Sequence, residues 1–410
     1  MCIICRGENL YGLTHLNCQE CDELIEIPYI HGLKVLNCSD CSFLRRIAVI
    51  DSLTELNCRG CRSLRDIPLI SGLKILKCDR TSITEIPAIS SLVELDCYGC
   101  RSLNKIPELD LENLNCAWST IGTLPPLRKL KKLACEGSGI TVLPELPSLQ
   151  ELYCSNNPLH VIPPMNELRT LDCSWCEVVT IPALCQLEKL DCSYCMQLTN
   201  IQKLPNLLML NCKWCSKLNG IPYNNVLREL VCDMCPLLTE IPKIDSLQQL
   251  CCRSCKITTV PSINNLQELW CGDCPNLITI GFSRNLREIN CNFCNSLKEI
   301  PLIEGMKIVS CKFCCSLTSI PPIMSLSELN CSYCRMLTYI PPTIAAVAEM
   351  EGCVWLKCSH YRLVMVLKLQ RWYRIQLWRR KMDETFAQIE YHPKIGVKVL
   401  EQLEPSNGHN

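Results

Sequence analysis

Cysteine is the residue type with the most potential chemistry in this chain, which has 37 cysteines among 410 residues. Seventeen of them recur every 19 or 20 residues, and 13 of these are followed three residues later by a second cysteine. Paired sulfur atoms can bind zinc as thiolates or form disulfides. The regularly spaced set, called here the strand cysteines, is Cys18, Cys38, Cys58, Cys78, Cys97, Cys116, Cys135, Cys154, Cys173, Cys192, Cys212, Cys232, Cys252, Cys271, Cys291, Cys311 and Cys331.

Zinc binding is suggested by the pair Cys18–Cys21 followed by Cys38–Cys41, which superficially has a four-cysteine zinc spacing. In four units, however, the second cysteine is replaced by Thr81, Ser119, Ser138 and Asn157. These side chains hydrogen-bond well to turn backbone but are poor partners in a thiolate site. A strand cysteine also suits an apolar core position as a small hydrophobe. We therefore expect a ladder of free thiols in the core and turns, with no metal and no cofactor.

Disulfides remain sterically possible, because equivalent residues on stacked strands about 4.8 Å apart lie within the range that a disulfide bridges. The segment 1–9 lacks the basic and apolar regions of a standard signal peptide, which favours a reducing cytoplasm. No apolar run approaches 18 residues, so we expect no transmembrane segment. The formal net charge of zero gives no general indication of nucleic-acid binding.

Catalytic residues are not evident. Six histidines are scattered along the chain, and none pairs locally with a cysteine, serine or carboxylate in a nucleophile arrangement. There is no Gly-rich phosphate loop and no kinase or hydrolase motif. The sequence therefore predicts a protein that is not an enzyme.

The repeat unit that positions the cysteines reads Leu-x-x-Leu-x-Cys-x-x-Cys-x-x-Leu-x-x-Ile-Pro. Apolar residues two apart, at the second Leu and the Cys, indicate a strand with one buried face. Fourteen of the 17 units have proline after the Ile position; the exceptions are Ala48, Gln202 and Gly281. Proline fixes φ and removes a donor, so the return path should be extended or polyproline-like. About 17 stacked units would bury one continuous core.

This unit resembles the leucine-rich repeat, as in Leu149-Gln150-Glu151-Leu152-Tyr153-Cys154-Ser155-Asn156-Asn157-Pro158-Leu159. The short, proline-marked form is similar to the repeats of leucine-rich effectors from Gram-negative pathogens. The Cys-x-x-Cys units together with the tail are more similar to leucine-rich repeat proteins of amoeba-infecting giant DNA viruses. The resemblance implies a solenoid with parallel strands on the concave face, an extended convex side and a C-terminal α-helical cap. It also implies a location in host cytoplasm or in a virion.

Two sets of positions are candidates for partner binding. The residue two after each strand cysteine becomes large and apolar in consecutive units at Trp175, Tyr194, Trp214 and Met234, and then again at Phe293, Phe313 and Tyr333. Strand positions add Val231, Trp270 and a column of acids that includes Glu229 and Glu268. Exposed aromatic residues are typical of binding surfaces. The alternative is that the rings only cover the edge of the core.

The tail has a different composition from the repeats. We expect the solenoid to cover 1–345, a degenerate last repeat or linker 346–360, a basic amphipathic helix 361–392 and a partly disordered tail 393–410. The helix resembles an IQ motif through Leu369, Gln370, Arg374, Arg379 and Met382, although Ile375 replaces its usual Gly. Its apolar start, 363–367, could therefore cap the open edge of the last repeat, and its basic part could bind calmodulin or lie on an anionic membrane.

The sequence thus predicts a non-enzymatic scaffold that binds a protein partner on the concave face, with a host protein as a candidate. The alternative is an effector or adaptor linked to ubiquitin-ligase function, because some bacterial effectors with similar repeats carry a ligase domain. The roughly 65 residues after the repeats are too few for such a domain.

Overall fold

A computed structural model describes residues 2–341, 344, 348–354, 366 and 369–379 of this chain. Its strands, in chain order, are β1 (His15–Asn17), β2 (Glu26–Ile27), β3 (Val35–Asn37), β4 (Arg46–Ile47), β5 (Glu55–Asn57), β6 (Ile75–Lys77), β7 (Glu94–Asp96), β8 (Asn113–Asn115), β9 (Lys132–Ala134), β10 (Glu151–Tyr153), β11 (Thr170–Asp172), β12 (Thr180–Ile181), β13 (Lys189–Asp191), β14 (Asn200–Ile201), β15 (Met209–Asn211), β16 (Glu229–Val231), β17 (Gln249–Cys251), β18 (Thr259–Val260), β19 (Glu268–Trp270), β20 (Thr279–Ile280), β21 (Glu288–Asn290), β22 (Ile308–Ser310), β23 (Glu328–Asn330) and β24 (Ala348–Glu349). One helix, α1, covers residues 369–379 in the described part of the tail.

The main sheet has 18 parallel strands, and each strand pairs with the strand of the next repeat. Seventeen of them end immediately before a strand cysteine, as the repeat predicts. The eighteenth is β24, which is followed by Met350 in the place of a strand cysteine. The pairing register is constant, so Leu16 lies beside Leu36 and Leu36 beside Leu56. The structure is thus the predicted leucine-rich repeat solenoid, and residues 2–341 contain no α-helix.

The core is a single column of buried residues that runs the length of the solenoid. Each repeat contributes the strand leucine, the strand cysteine and the following cysteine, leucine and isoleucine, nearly all less than 9% exposed. Burial raises the pKa of the strand thiols Cys58, Cys97 and Cys252 well above the ordinary value. These thiols therefore behave as neutral hydrophobes, as expected for a core position.

The second cysteine of each pair, called here the rung cysteine, links neighbouring repeats. Twelve rung thiols, and Cys353 in the last described repeat, donate a hydrogen bond to the carbonyl of the strand cysteine of the preceding repeat, at 2.9–3.2 Å. Ser138 and Asn157 donate to the equivalent preceding carbonyl at 2.7 and 2.8 Å. Thr81 and Ser119 instead donate to a carbonyl of their own repeat. The rung position is thus a hydrogen-bonding ladder, as the Thr, Ser and Asn replacements indicate.

The convex side is extended, and its pairing follows the proline pattern. Proline has no N–H to donate, so a unit with Ile-Pro cannot extend a ladder at that point. In the three units without this proline, a backbone N–H replaces it and donates a hydrogen bond to a carbonyl of the preceding repeat. The bonds run from Ala48 to Ile27, from Gln202 to Ile181 and from Gly281 to Val260, at 2.8–3.0 Å. These bonds create the two-stranded pairs β2–β4, β12–β14 and β18–β20.

Candidate functional site

The residues two after the strand cysteines form one column, called here the turn column, directly after each strand. All have φ between +55° and +70°, and Gly352 continues the column in the last described repeat. The 14 non-glycine residues with positive φ in the described part of the chain all belong to this column. Positive φ is a left-handed conformation that favours Gly, Asn and Asp, and it is unusual for a bulky residue.

The turn column is held in this conformation by bonds between repeats. The N–H groups of Trp175, Tyr194 and Trp214 donate to carbonyls of Ser193, Lys213 and Asp233 in the next repeat, at 2.8–2.9 Å. A left-handed non-glycine residue costs roughly 1 kcal/mol or more and persists only where the surroundings enforce it. The constant inter-repeat pairing enforces it here, whatever the side chain.

Aromatic side chains of the turn column stack in two rows. In the first row, Trp175 stacks on Tyr194 with ring centroids 4.1 Å apart, and Tyr194 stacks on Trp214 at 5.8 Å. In the second row, Phe313 lies between Phe293 and Tyr333 at 4.7 and 4.6 Å. All four pairs are within 10° of parallel. We call these groups the Trp175 row and the Phe293 row.

Both rows remain accessible despite the stacking. Trp175 is 58% exposed and Phe293 is 45% exposed, while Tyr194 and Phe313, between their neighbours, are half-buried. Met234 continues the Trp175 row and is also half-buried. Trp118 belongs to the same column but lies over Gly137, which provides no ring to stack on. Two accessible aromatic strips therefore run along the edge where the strands end.

The strand residues predicted with them lie on the adjacent sheet face. Val231 and Trp270 are half-buried and flank Cys251 in register on β16, β17 and β19. The structure therefore splits the predicted anchors between the turn column and the sheet face. Trp175, Tyr194, Trp214 and Met234 occupy the turn column, whereas Trp270 and Val231 occupy strands.

The predicted acids also lie on the sheet face. Glu229 and Glu268 both flank Gln249 in register, and Glu288 follows Glu268. In the first half of the array such acids make ion pairs, for example Lys132–Glu151 at 2.9 Å. Glu229, Glu268 and Glu288 make none with any residue that the structure describes. Their negative charge is therefore not neutralised by described neighbours.

Left-handed backbone in the turn column was not predicted from the sequence, although a signal was present. Gly60, Gly99, Gly137 and Asn156 all occupy it, and these residue types tolerate positive φ best. From the sequence, a position of these rings over the edge of the core was the alternative to a binding surface. The structure shows that they do lie in the turn and that they remain exposed.

Helix α1 contains Leu369, Gln370, Arg374 and Arg379 of the predicted basic motif, whereas Met382 lies outside the described residues. Leu369, Trp372 and Trp378 on α1 are each at least 54% exposed. Arg371, Trp372 and Ile375 line a cleft together with strand residues of β22 and β23. The described part of α1 thus faces the concave sheet. Of the apolar stretch 363–367, the structure describes residue 366 alone, so capping of the last repeat stays a prediction. None of the described helical residues forms a segment suited to cross a bilayer.

Comparison with known proteins gives similarity to solved structures alone. No family model and no curated protein matches the chain. YopM from Yersinia enterocolitica is 18% identical over 83% of this chain and 91% of its own, with a TM-score of 0.49. A leucine-rich repeat protein of Leptospira interrogans is 17% identical over 88% and 95%, with a TM-score of 0.43. The functional domain of InlJ from Listeria monocytogenes, which includes a cysteine ladder, is 18% identical over 83% and 73%, with a TM-score of 0.36.

Proposed function

We propose that this chain is a non-enzymatic scaffold that binds a protein through the Trp175 row and the adjacent sheet face. The observation that carries this proposal is the presence of exposed, stacked aromatic rings on left-handed backbone. Glycine or asparagine would suit those positions with less strain, and both occur elsewhere in the same column. Residues that are locally unfavourable and exposed are expected where function requires them.

The charge of the surface limits the chemistry of the partner. Glu229 and Val231 lie on β16 beside the end of the Trp175 row, and Glu268, Trp270 and Glu288 continue the sheet face beyond it on β19 and β21. These acids make this part of the sheet face negative, and Trp270 and Val231 add apolar area. A complementary partner presents basic and apolar groups, because like charges across an interface are unfavourable. A host protein with such a surface is the partner that we propose.

The test replaces two rings by a residue that the backbone accepts. Trp175→Asn together with Trp214→Asn should leave the fold intact, because Asn156 already occupies the same column. Loss of two central aromatic anchors should weaken binding by about 2 kcal/mol or more, roughly 30-fold. The measurement is quantitative mass spectrometry of proteins captured from host-cell lysate, followed by titration of the captured partner.

Trp118→Asn is the matched control, because Trp118 has the same backbone and is 50% exposed but has no stacked neighbour. It should bind the partner as the unchanged chain does. Equal binding by all three proteins would show that the Trp175 row is not the interface.

Helix α1 is a second candidate site, for a different partner. Its exposed Leu369, Trp372 and Trp378 alternate with the cations Arg371, Arg374 and Arg379. A basic helix with exposed apolar residues suits a calmodulin-like groove. Titration of a peptide covering 365–385 with calmodulin, with and without calcium, tests this. Absence of binding in both states would eliminate calmodulin.

A further inference from the structure

The N-terminal end of the solenoid contains a group of thiols outside the regular ladder. Cys2 and Cys5 precede the first repeat, and the fold brings both to Cys21, the first rung cysteine. The sulfur atoms of Cys2 and Cys5 are 3.7 Å apart, and those of Cys5 and Cys21 are 3.6 Å apart. These three sulfur atoms all lie within 4.8 Å of one another, whereas Cys18, in the same repeat as Cys21, is not part of this close group.

The spacing of these sulfur atoms matches that of a single tetrahedral ion. Zinc–thiolate bonds of about 2.3 Å in a tetrahedron place the sulfur atoms about 3.8 Å apart. The chain order Cys2-x-x-Cys5 and Cys18-x-x-Cys21 is a paired Cys-x-x-Cys arrangement of the kind that binds zinc. A disulfide would join only two of these thiols and requires sulfur atoms about 2 Å apart.

Hydrogen bonding at Cys21 is reversed compared with the rest of the ladder. The other rung thiols donate to a carbonyl of the preceding repeat, but no repeat precedes Cys21. Its sulfur atom instead accepts the backbone N–H of Cys2 at 3.3 Å. A sulfur atom that accepts N–H bonds is the form that binds a metal.

The backbone before the first repeat has the form of a small folded clip. The N–H groups of Arg6, Gly7 and Glu8 donate to carbonyls of Cys2, Ile4 and Ile3 at 3.0–3.2 Å, with Gly7 at φ +67°. Ile3 and Ile4 are only partly buried against the core. So few apolar contacts give the clip little stability by itself, and short segments of this kind are commonly held by a metal.

We propose that Cys2, Cys5 and Cys21 bind one zinc ion that fixes the clip over the N-terminal end of the solenoid, with the Cys18 thiol as the fourth ligand once it turns towards them. The site joins two cysteines that precede the repeats to the first repeat of the thiol ladder, and free thiols remain the expectation for the rest of the ladder. Its role is structural, because a repeat array requires a cap at each open end.

The first experiment is metal analysis of the full chain produced with zinc and iron in the medium. The unchanged protein should contain about one zinc per chain, as expected for one structural site. Cys2→Ser with Cys5→Ser should reduce this at least about tenfold, because two of four ligands are lost. Cys251→Ser with Cys315→Ser is the control, since both are half-buried outside the ladder, and it should retain the zinc. Iron in place of zinc, no metal, or equal zinc in all three proteins would refute the proposal.

A second measurement does not depend on the folding of a variant. Cobalt(II) added to metal-free unchanged protein should give thiolate charge-transfer bands and the strong visible absorption of a tetrahedral site. Intensity for four thiolates is expected, while intensity for three would refute the role of Cys18. Absence of both bands would refute the site itself.

Discussion

At the residue scale, the two cysteines of a repeat have different roles although both are buried. The strand cysteine fills the core, while the rung cysteine also donates a hydrogen bond to the preceding repeat. Five strand thiols donate longer bonds, of 3.3–3.5 Å, to a carbonyl of the next repeat: Cys78, Cys192, Cys232, Cys291 and Cys331. Cys58 and Cys61 illustrate this within one unit: the Cys61 thiol donates to the Cys38 carbonyl at 3.0 Å. No hydrogen bond to the Cys58 side chain occurs among the described residues.

This difference predicts that serine is tolerated less well at position 58 than at position 61. Cys58→Ser should lower the free energy of unfolding by roughly 1–3 kcal/mol, because a buried hydroxyl then lacks a partner. Cys61→Ser should change it by less than about 1 kcal/mol, since Ser138 already makes the rung bond. Urea unfolding of both variants measures this. Equal losses at the two positions would contradict the separate roles.

Glu136 gives a prediction about pH. Burial raises the pKa of its carboxyl group, and Oε2 is buried without a hydrogen-bond partner among the described residues. The folded state therefore binds the proton more tightly than the unfolded state, and stability is lost as pH rises through the folded pKa. Glu136→Gln should raise the free energy of unfolding by about 1 kcal/mol at pH 7.

The gain from Glu136→Gln should disappear below about pH 4, where the unfolded carboxyl is also protonated. Thermal unfolding between pH 3 and pH 8, with the exposed Glu145→Gln as control, tests the sign. A gain independent of pH would show that ionisation of Glu136 is not the cause.

At the element scale, the convex side shows how one residue controls pairing. Where proline is absent, the free N–H creates a two-stranded pair. At Gly281 the backbones of the two paired segments come especially close. A Cβ at residue 281 would lie 2.4 Å from the backbone nitrogen of Ser262. Pairing and close approach therefore occur together at β18–β20.

Gly281→Ala should destabilise the protein by about 2 kcal/mol, because backbone must move to admit the methyl group. Gly305→Ala is the matched control, since the nearest atom to its Cβ would be 4.0 Å away. It should be neutral or stabilising by up to about 1 kcal/mol, because alanine lowers the conformational entropy of the unfolded chain. Equal effects in thermal unfolding would contradict close packing at residue 281.

At the scale of the whole molecule, the solenoid hides nearly all of its described thiols. Among the described cysteines, Cys185 is exposed. Cys251 is half-buried, and burial raises the pKa of its thiol to about 11. Because thiolates are the reactive form, a cysteine-rich chain can therefore be chemically inert while it is folded.

Alkylation of the native protein at pH 7, followed by peptide mapping, should modify Cys185 well before Cys251 and before any strand or rung cysteine. The strand and rung cysteines should react only after denaturant is added. Cys185→Ser should eliminate labelling of that peptide without affecting the others. Fast native modification of Cys192 and Cys195 would show that the core opens readily.

The sequence by itself determined the solenoid, the strand positions, the buried cysteines and the rung ladder. In a repeat array each unit contacts mainly the units beside it, so a 19- or 20-residue period specifies which residues become neighbours. The same period located the aromatic residues of the Trp175 row. The extended convex side of the solenoid also followed from the Ile-Pro pattern, as Ile67 and Pro68 illustrate.

Only the tertiary structure decided what lies outside this period. The left-handed turn column depends on hydrogen bonds between repeats, so Trp175 and Tyr194 adopt a backbone that their own residue types disfavour. The segment of Cys2 and Cys5 and helix α1 have no repeat to specify their neighbours. Their positions depend on packing against the two ends of the array, which is why the thiol group at Cys21 was not predicted.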